Sequence, residues 1–272
     1  VRSESPIGIF DSGIGGLTIA NAISHLMPQE SLIYYGDTAH LPYGDKSPDA
    51  IRYYTLVITK FLRDQGCKAV VIACNSASAV AYDVLSEFFS EDMIIVNAVD
   101  PLVSDIISNS RGHVGIIGTR ATIESGTYQR KLHKQSPHLK VSALPTPLLA
   151  PMVEDHFHKR EVSSQIIASY LSELPLDDID ALALACTHYP LIEEQIIELL
   201  SGRTIRTIDS ATPAARQLYD KLRDRDLLSK SAEQRSLFYL SDTTRGFQQS
   251  AEMFFGKSIE IESRDLWTSR TM

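Results

Sequence analysis

Short apolar runs recur along this chain, and each one stops at small polar residues before a helix-patterned stretch begins. Val70-Val71-Ile72-Ala73 runs into Cys74-Asn75-Ser76, and Ala181-Leu182-Ala183-Leu184-Ala185 runs into Cys186-Thr187-His188. These runs do not alternate apolar with polar residues. Continuous apolar character over four to six residues fits strands of a parallel sheet, buried on both faces. Parallel neighbours cannot be joined by tight hairpins and need helical crossovers. The chain is therefore expected to be α/β. In open sheets of that class, ligands bind beyond the carboxyl ends of the strands, which is where both cysteines fall.

The alternation persists along the chain. Ile7 to Phe10 reads as the first strand, ending in Asp11-Ser12-Gly13-Ile14-Gly15-Gly16, and Leu17 to Leu26 as its helix. Leu32 to Tyr35 is a second strand. Pro42-Tyr43-Gly44 marks a turn, and Ser47-Pro48 opens a helix reaching Gln65, with serine as cap and proline in the first turn. The Cys74 strand, a helix over 77–89 and a strand over 94–96 complete this series. A second series comes next: helix 102–109, strand 113–117, helix 123–134, strand 140–144, a proline-interrupted loop from Pro145 to Glu154, helix 161–171, the Cys186 strand, helix 193–200 and strand 203–208. Asp11 precedes Cys74 by 63 residues and Thr119 precedes Cys186 by 67. The pattern predicts two similar doubly wound parallel-sheet domains, related by a pseudo-two-fold axis, with a site between them. The first series covers 1–98 and the second 99–208. The tail over 209–272, with helices over 212–223 and 247–255 and strands over 237–240 and 259–261, is expected to complete a domain rather than form one.

At 272 residues the chain is long enough for one or two cores. Its net charge of −8 and the absence of a Lys/Arg block argue against a nucleic-acid partner. No apolar stretch approaches the ~18 residues of a membrane helix, and the polar start does not resemble a signal peptide. Three cysteines with no CxxC pair give neither a disulfide framework nor a zinc site. Reduced thiols and a cytoplasmic location are expected.

Cys74 and Cys186 are the leading chemical candidates. A thiol at a helix N-terminus, with the dipole favouring thiolate, can trade a proton near neutral pH. One thiol on each side of a carbon could remove and return its proton and leave the mirror-image centre. Asp11, His188 and Glu154 are candidate partners for orienting or relaying that proton. Each group also has a plainer reading: a buried cysteine as a small core residue, Asp11 as a helix cap, His188 as a cap before Tyr189-Pro190. Cys67 reads as structural, and His133, His138, His156 and His158 as solvated or loop residues. The glycine cluster after the first strand lacks the third glycine of a dinucleotide fingerprint, since Thr18 stands there, and the Walker pattern is absent. No serine-hydrolase elbow occurs.

Five motifs together carry a resemblance: Asp11-Ser12-Gly13-Ile14-Gly15-Gly16, Tyr35-Gly36-Asp37, Pro42-Tyr43-Gly44, Cys74-Asn75-Ser76-Ala77-Ser78 and Cys186-Thr187-His188-Tyr189-Pro190, with Gly118-Thr119-Arg120-Ala121-Thr122 as a sixth. In this order the chain resembles the glutamate racemases of the aspartate/glutamate racemase superfamily. The resemblance implies interconversion of L- and D-glutamate without cofactor or metal, supplying D-glutamate for peptidoglycan, by a homodimer with no membrane attachment. It implies two domains, 1–98 plus 209–272 and 99–208, with the tail returning to the first. It implies Cys74 and Cys186 as acid/base thiols, Asp11 assisting the first, and His188 and Glu154 assisting the second. Asp11, Ser12, Pro42, Tyr43, Gly44, Asn75, Ser76, Thr119, Thr122, Thr187 and His188 would hold the substrate. Ser76 stands where threonine is usual, Ala185 where glycine is usual, and His40 where arginine is common. Members activated by a peptidoglycan precursor carry an N-terminal extension, so no such activation is expected here. Two other readings share these motifs: racemisation of aspartate or a related amino acid, and binding of an acidic amino acid without turnover.

Overall fold

The computed structural model describes residues 2–231, 234–243 and 245–268. Two parallel sheets organise them. The first strand, β1 (Ile7–Asp11), pairs with β2 (Leu32–Gly36) on one side and β3 (Ala69–Ile72) on the other, and β4 (Ile94–Asn97) lies beyond β3. In the second sheet β5 (His113–Gly118) lies between β6 (Lys140–Pro145) and β7 (Ala181–Ala185), with β8 (Arg206–Asp209) beyond β7. The order β2-β1-β3-β4 thus recurs as β6-β5-β7-β8, which is the half-repeat expected from the sequence. β9 (Leu237–Leu240) and β10 (Ile261–Ser263) extend the first sheet beyond β2.

Registers refine the internal match. Phe10 stands beside Ile72 and Gly118 beside Ala185. Continued beyond the strand ends, these registers set Ser12 beside Cys74 and Thr119 beside Cys186. The counterpart of Thr119 is therefore Ser12, not Asp11: each cysteine has a hydroxyl residue as its lateral neighbour. Ala185, in place of the usual glycine, stays within the β5–β7 ladder.

The helices begin and end where local chemistry dictates. α1 (Leu17–Leu26) buries Leu17, Ile19, Ala20 and Ile23. α2 (Pro48–Asp64) starts with the Ser47 side chain accepting from the Ala50 N–H and with proline in the first turn, as expected. α3 (Asn75–Phe89) starts directly after Cys74, and α4 (Val99–Asn109) crosses to the second sheet. The single helix expected over 123–134 is two: α5 (Arg120–Glu124) and α6 (Thr127–Gln135), divided at Gly126, whose φ of 66° is a left-handed turn that glycine adopts without a Cβ penalty. The expected loop after Pro145 contains α7 (Leu149–Glu154), with Leu149, Ala150, Met152 and Val153 buried. Proline in the first turn of a helix is tolerated, so Pro151 does not break it. α8 (Glu161–Leu171), α9 (Glu193–Leu199), α10 (Ala211–Asp224) and α11 (Arg245–Phe255) complete the set.

One apolar cluster joins the two sheets. It runs from Ile9 and Val71 through Ile14 and α7 to Cys186, Leu182 and Tyr189. Separate clusters cover the α2/α3 face of the first sheet, where Cys74 lies, and the α4/α6 face of the second. Cys67 is buried in the first of these, as its structural reading requires. His133 and His138 are exposed as expected, but His158 is buried at 6% exposure, carried inward by a turn that succeeds left-handed His156.

Candidate active site

The carboxyl ends of β1, β3, β5 and β7 converge on a cavity of about 30 Å³. Ser12, Cys74, Asn75 and Ser76 line it from the first sheet. Thr119, Cys186, Thr187 and His188 line it from the second, Pro42, Tyr43 and Gly44 form one rim, and Glu154 reaches in from α7. Two further lining residues, Ala150 and Pro151, escaped the sequence reading, because a six-residue helix is too short to display a helical period. Two expected residues stand behind the wall. Asp11 is fully buried, and so is Thr122.

On the second wall a chain of contacts leads away from the thiol. Cys186 Sγ lies 3.6 Å from His188 Nδ1, and His188 Nε2 lies 2.8 Å from Glu154 Oε1. A carboxylate oxygen accepts, so Nε2 carries a proton. Nδ1 is then left to accept from the thiol, or to donate when the ring is doubly protonated. Burial works against the imidazolium, but Glu154 and Cys186 together outweigh it and hold His188 well above an ordinary histidine. His188 thus lines the cavity rather than capping a helix. No side-chain cap bond occurs there, and the chain continues as a 3-10 turn (Tyr189–Ile192) leading into α9. Cys186 is accordingly not at an α-helix N-terminus, contrary to expectation. The edge of the His188 ring meets Phe254 of α11, with centroids 5.2 Å apart.

The first wall has no imidazole. Cys74 does precede an α-helix, and its thiol lies 3.7 Å from Ser12 Oγ. Burial, reinforced by the Asp11 charge, pushes this thiol up to about 12 despite the Ala77 N–H and Ser12. Burial thus outweighs the preference for thiolate expected of the helix N-terminus. A helix N-terminus contributes about 0.3–1 kcal/mol, less than the ~1.4 kcal/mol that moves a pKa by one, and desolvation of the charged form is larger. Asp11 accepts from the Gly13 N–H at 3.1 Å, and burial raises its carboxyl above the ordinary value even though His188 pulls the other way.

The two walls also touch directly. Thr187 Oγ1 donates to Asp11 Oδ1 at 3.5 Å, and Thr18 Oγ1 donates to the Thr187 carbonyl at 3.3 Å. A Cβ at Gly15 would fall 2.5 Å from both Thr187 Oγ1 and the His188 ring, so the glycine turn permits this approach. Across the cavity Ser76 Oγ meets Thr119 Oγ1 at 2.8 Å and Thr122 Oγ1 at 3.3 Å. Ser76 therefore supplies the hydroxyl that the more usual threonine would. Tyr128, another residue the sequence did not single out, donates to Asn75 Oδ1 at 2.6 Å. The Asn75 amide nitrogen is buried without a partner, and Asn75 is one of the residues lining the cavity.

Comparison with known proteins gives the family. Residues 17–218 match the Asp/Glu/Hydantoin racemase family. A glutamate racemase from Geobacter metallireducens is 39% identical over 255 residues, covering 93% of each chain. One from Streptococcus thermophilus is 36% identical over 269 residues, covering 96% of each. The chain belongs to the glutamate racemase family. Its fold superimposes on a crystal structure of the Francisella tularensis enzyme in complex with D-glutamate with a TM-score of 0.92, at 36% identity, over 97% of this chain and 98% of that one. An aspartate racemase from Picrophilus torridus, at 21% identity and a TM-score of 0.54, shares the fold alone. Like other members of the family, the chain is an isomerase. Among the described residues no helix is long and apolar enough to cross a membrane.

Proposed function

We propose that this protein interconverts L- and D-glutamate by two-thiol acid/base chemistry without a cofactor. The observation that carries the reading is the convergence of Cys74 and Cys186 on one small cavity from two sheets of matching strand order. One cysteine, as thiolate, takes the proton from Cα: the C–H bond breaks, an S–H bond forms, and the electron pair passes toward the substrate carboxylate. The other cysteine, as thiol, returns a proton to the opposite face. Asp11 assists Cys74, while His188 and Glu154 assist Cys186. Ser12, the Pro42-Tyr43-Gly44 rim, Asn75, Ser76, Thr119, Thr187 and His188 hold the carboxylates and the amine, and Thr122 supports Ser76 and Thr119 from behind the wall. The unpartnered Asn75 amide supports this assignment, since a buried N–H lacking a partner is costly until one arrives.

A cavity of about 30 Å³ holds water and not an amino acid. Substrate entry therefore requires the walls to part. The units proposed to move are 1–98 plus 209–272 and 99–208, the division expected from the sequence. A cytoplasmic homodimer that supplies D-glutamate to peptidoglycan is the setting the family resemblance supports.

The deciding experiment incubates the protein with L-glutamate and, separately, D-glutamate in D₂O. Circular dichroism follows inversion while NMR follows deuterium at Cα. Inversion with label incorporation is expected from both sides, and the absence of both would overturn the reading.

A further inference from the structure

Asp37 comes directly after β2, outside the cavity, and is completely buried. Three side chains converge on its carboxylate. Tyr43 O–H donates to Oδ2 at 2.7 Å, and Trp267 Nε1–H donates to Oδ1 at 3.0 Å. His40 Nδ1 lies 3.1 and 3.0 Å from the two oxygens. A carboxylate only accepts, so Nδ1 donates as well. Burial and the Asp37 charge hold the Tyr43 phenol far above its usual range, so it remains a donor. His40 is also stacked on Tyr54 at 4.1 Å and meets Trp267 edge-on at 4.5 Å.

Trp267 arrives from the end of the described chain, 230 residues after Asp37. Its segment is itself held. The Arg264 N–H donates to the Leu240 carbonyl at 2.8 Å, and Tyr35 O–H donates to the Arg264 carbonyl at 3.0 Å. Asp265 Oδ1 accepts from the Trp267 N–H at 2.7 Å. On the other side of the hub, Gly44 is pressed to the opposing wall: a Cβ there would fall 2.8 Å from Thr119 Cβ. The rim loop therefore has little room for error, and three donors on one carboxylate fix where it starts.

We propose that Trp267 and His40 are positioning residues for the Pro42-Tyr43-Gly44 rim, acting through Asp37, so that the C-terminal segment sets substrate affinity from outside the cavity. This rests on the reading that the rim holds substrate. It also gives His40 a role, as a donor to Asp37.

The test uses the full chain and both enantiomers of glutamate. Trp267→Phe keeps a ring against His40 and Tyr54 and loses only the N–H donor. A misplaced rim weakens binding of ground and transition states alike, which raises KM and spares kcat. A rise in KM of about 5–20-fold, with kcat within about twofold, is expected. His40→Ala is expected to do the same, while His40→Asn, which retains a donor, restores KM to within about twofold. Trp267 is the chain's only tryptophan, so its emission in the unaltered protein reports this hub directly. A saturable change on adding glutamate, half-complete near KM, is expected. Unchanged KM in Trp267→Phe and His40→Ala, with active unaltered protein, overturns the proposal and leaves the racemase reading intact. If Trp267→Phe does not fold, His40→Ala and the emission titration decide the matter, and emission indifferent to saturating glutamate counts against the hub. An unaltered protein that inverts neither enantiomer overturns the racemase reading and this proposal with it.

Discussion

The wall that carries Cys74 and the wall that carries Cys186 share a strand order and differ in everything that handles a proton. Cys186 is backed by an imidazole, and the imidazole by a carboxylate, within hydrogen-bonding reach at each step. Cys74 has a serine hydroxyl, a helix N-terminus and a buried acid whose charge works against ionisation. The backbone repeat thus fixes where the two sulfurs lie, and the local side chains give each one different partners. In the proposed reaction, proton transfer at the Cys186 face has a built-in relay. Transfer at the Cys74 face waits for the substrate to bring its own charge into the cavity.

The largest expected effect removes either wall's sulfur. Cys74→Ala and Cys186→Ala should each lower inversion by about 10³-fold or more, since acid/base groups contribute about 10²–10⁴. Polarimetry checks this, and full racemisation by either variant would break the two-wall picture. Next in size is the relay. His188→Asn should lower kcat/KM by about 10–100-fold. The enantiomers have equal free energy, so kcat/KM must stay equal in the two directions for every variant. The asymmetry of the walls can therefore appear only in kcat and KM separately. For His188→Asn the two kcat values should diverge, and identical losses of kcat in both directions would show that the walls are kinetically equivalent. Gly15→Ala should cost about tenfold in kcat/KM by forcing Thr187 and His188 off their positions. A crystal structure of the variant would show that displacement.

The smallest effect is on stability. Burial raises Cys74 to about 12 in the folded state, against 9.0 as its ordinary value. A folded pKa above the unfolded one gives stability that is complete below the unfolded value and is lost as pH climbs toward the folded one. Urea unfolding between about pH 9 and 10 should therefore show stability falling by up to ~1.4 kcal/mol per pH unit for such a thiol. Cys74→Ser should remove that share of the slope. Cys67, also raised to about 12 by burial, should leave a slope behind. The buried tyrosines Tyr34, Tyr43, Tyr128 and Tyr189, raised above their ordinary value of 10.0, add to the slope as pH nears 10, so the difference between Cys74→Ser and the unaltered protein isolates the thiol.

Much of this molecule is readable from one sequence, for reasons that also explain the rest. Val70 to Ala73 and Ala181 to Ala185 declare parallel strands because burial on both faces leaves no place for a polar residue. The span of α1 is set by its buried Leu17, Ile19, Ala20 and Ile23. The helix α7 is hidden by its shortness and by Pro151, and the break at Gly126 by a pattern that runs on through it. The cysteines, Asp11, His188 and Glu154 are legible as strand-end or loop groups beside motifs. The protonation of Cys74 is not, because desolvation depends on everything packed around a residue and not on its neighbours in the chain. Asp37 and Trp267 lie at opposite ends of the sequence, and only pairing of the tail to β2 brings them together.

The recurrence of β2-β1-β3-β4 as β6-β5-β7-β8 has a consequence for how such a site can diversify. A chain of half this length, paired with an identical copy through the same face, would offer two sulfurs in the same geometry. It could never offer different companions, since any substitution would alter both halves at once. Carrying both halves on one polypeptide removes that constraint. Ser12 and Thr119 could diverge, and an imidazole could be recruited to one half alone, so that in the proposed reaction each face of the carbon can be tuned to its own proton transfer.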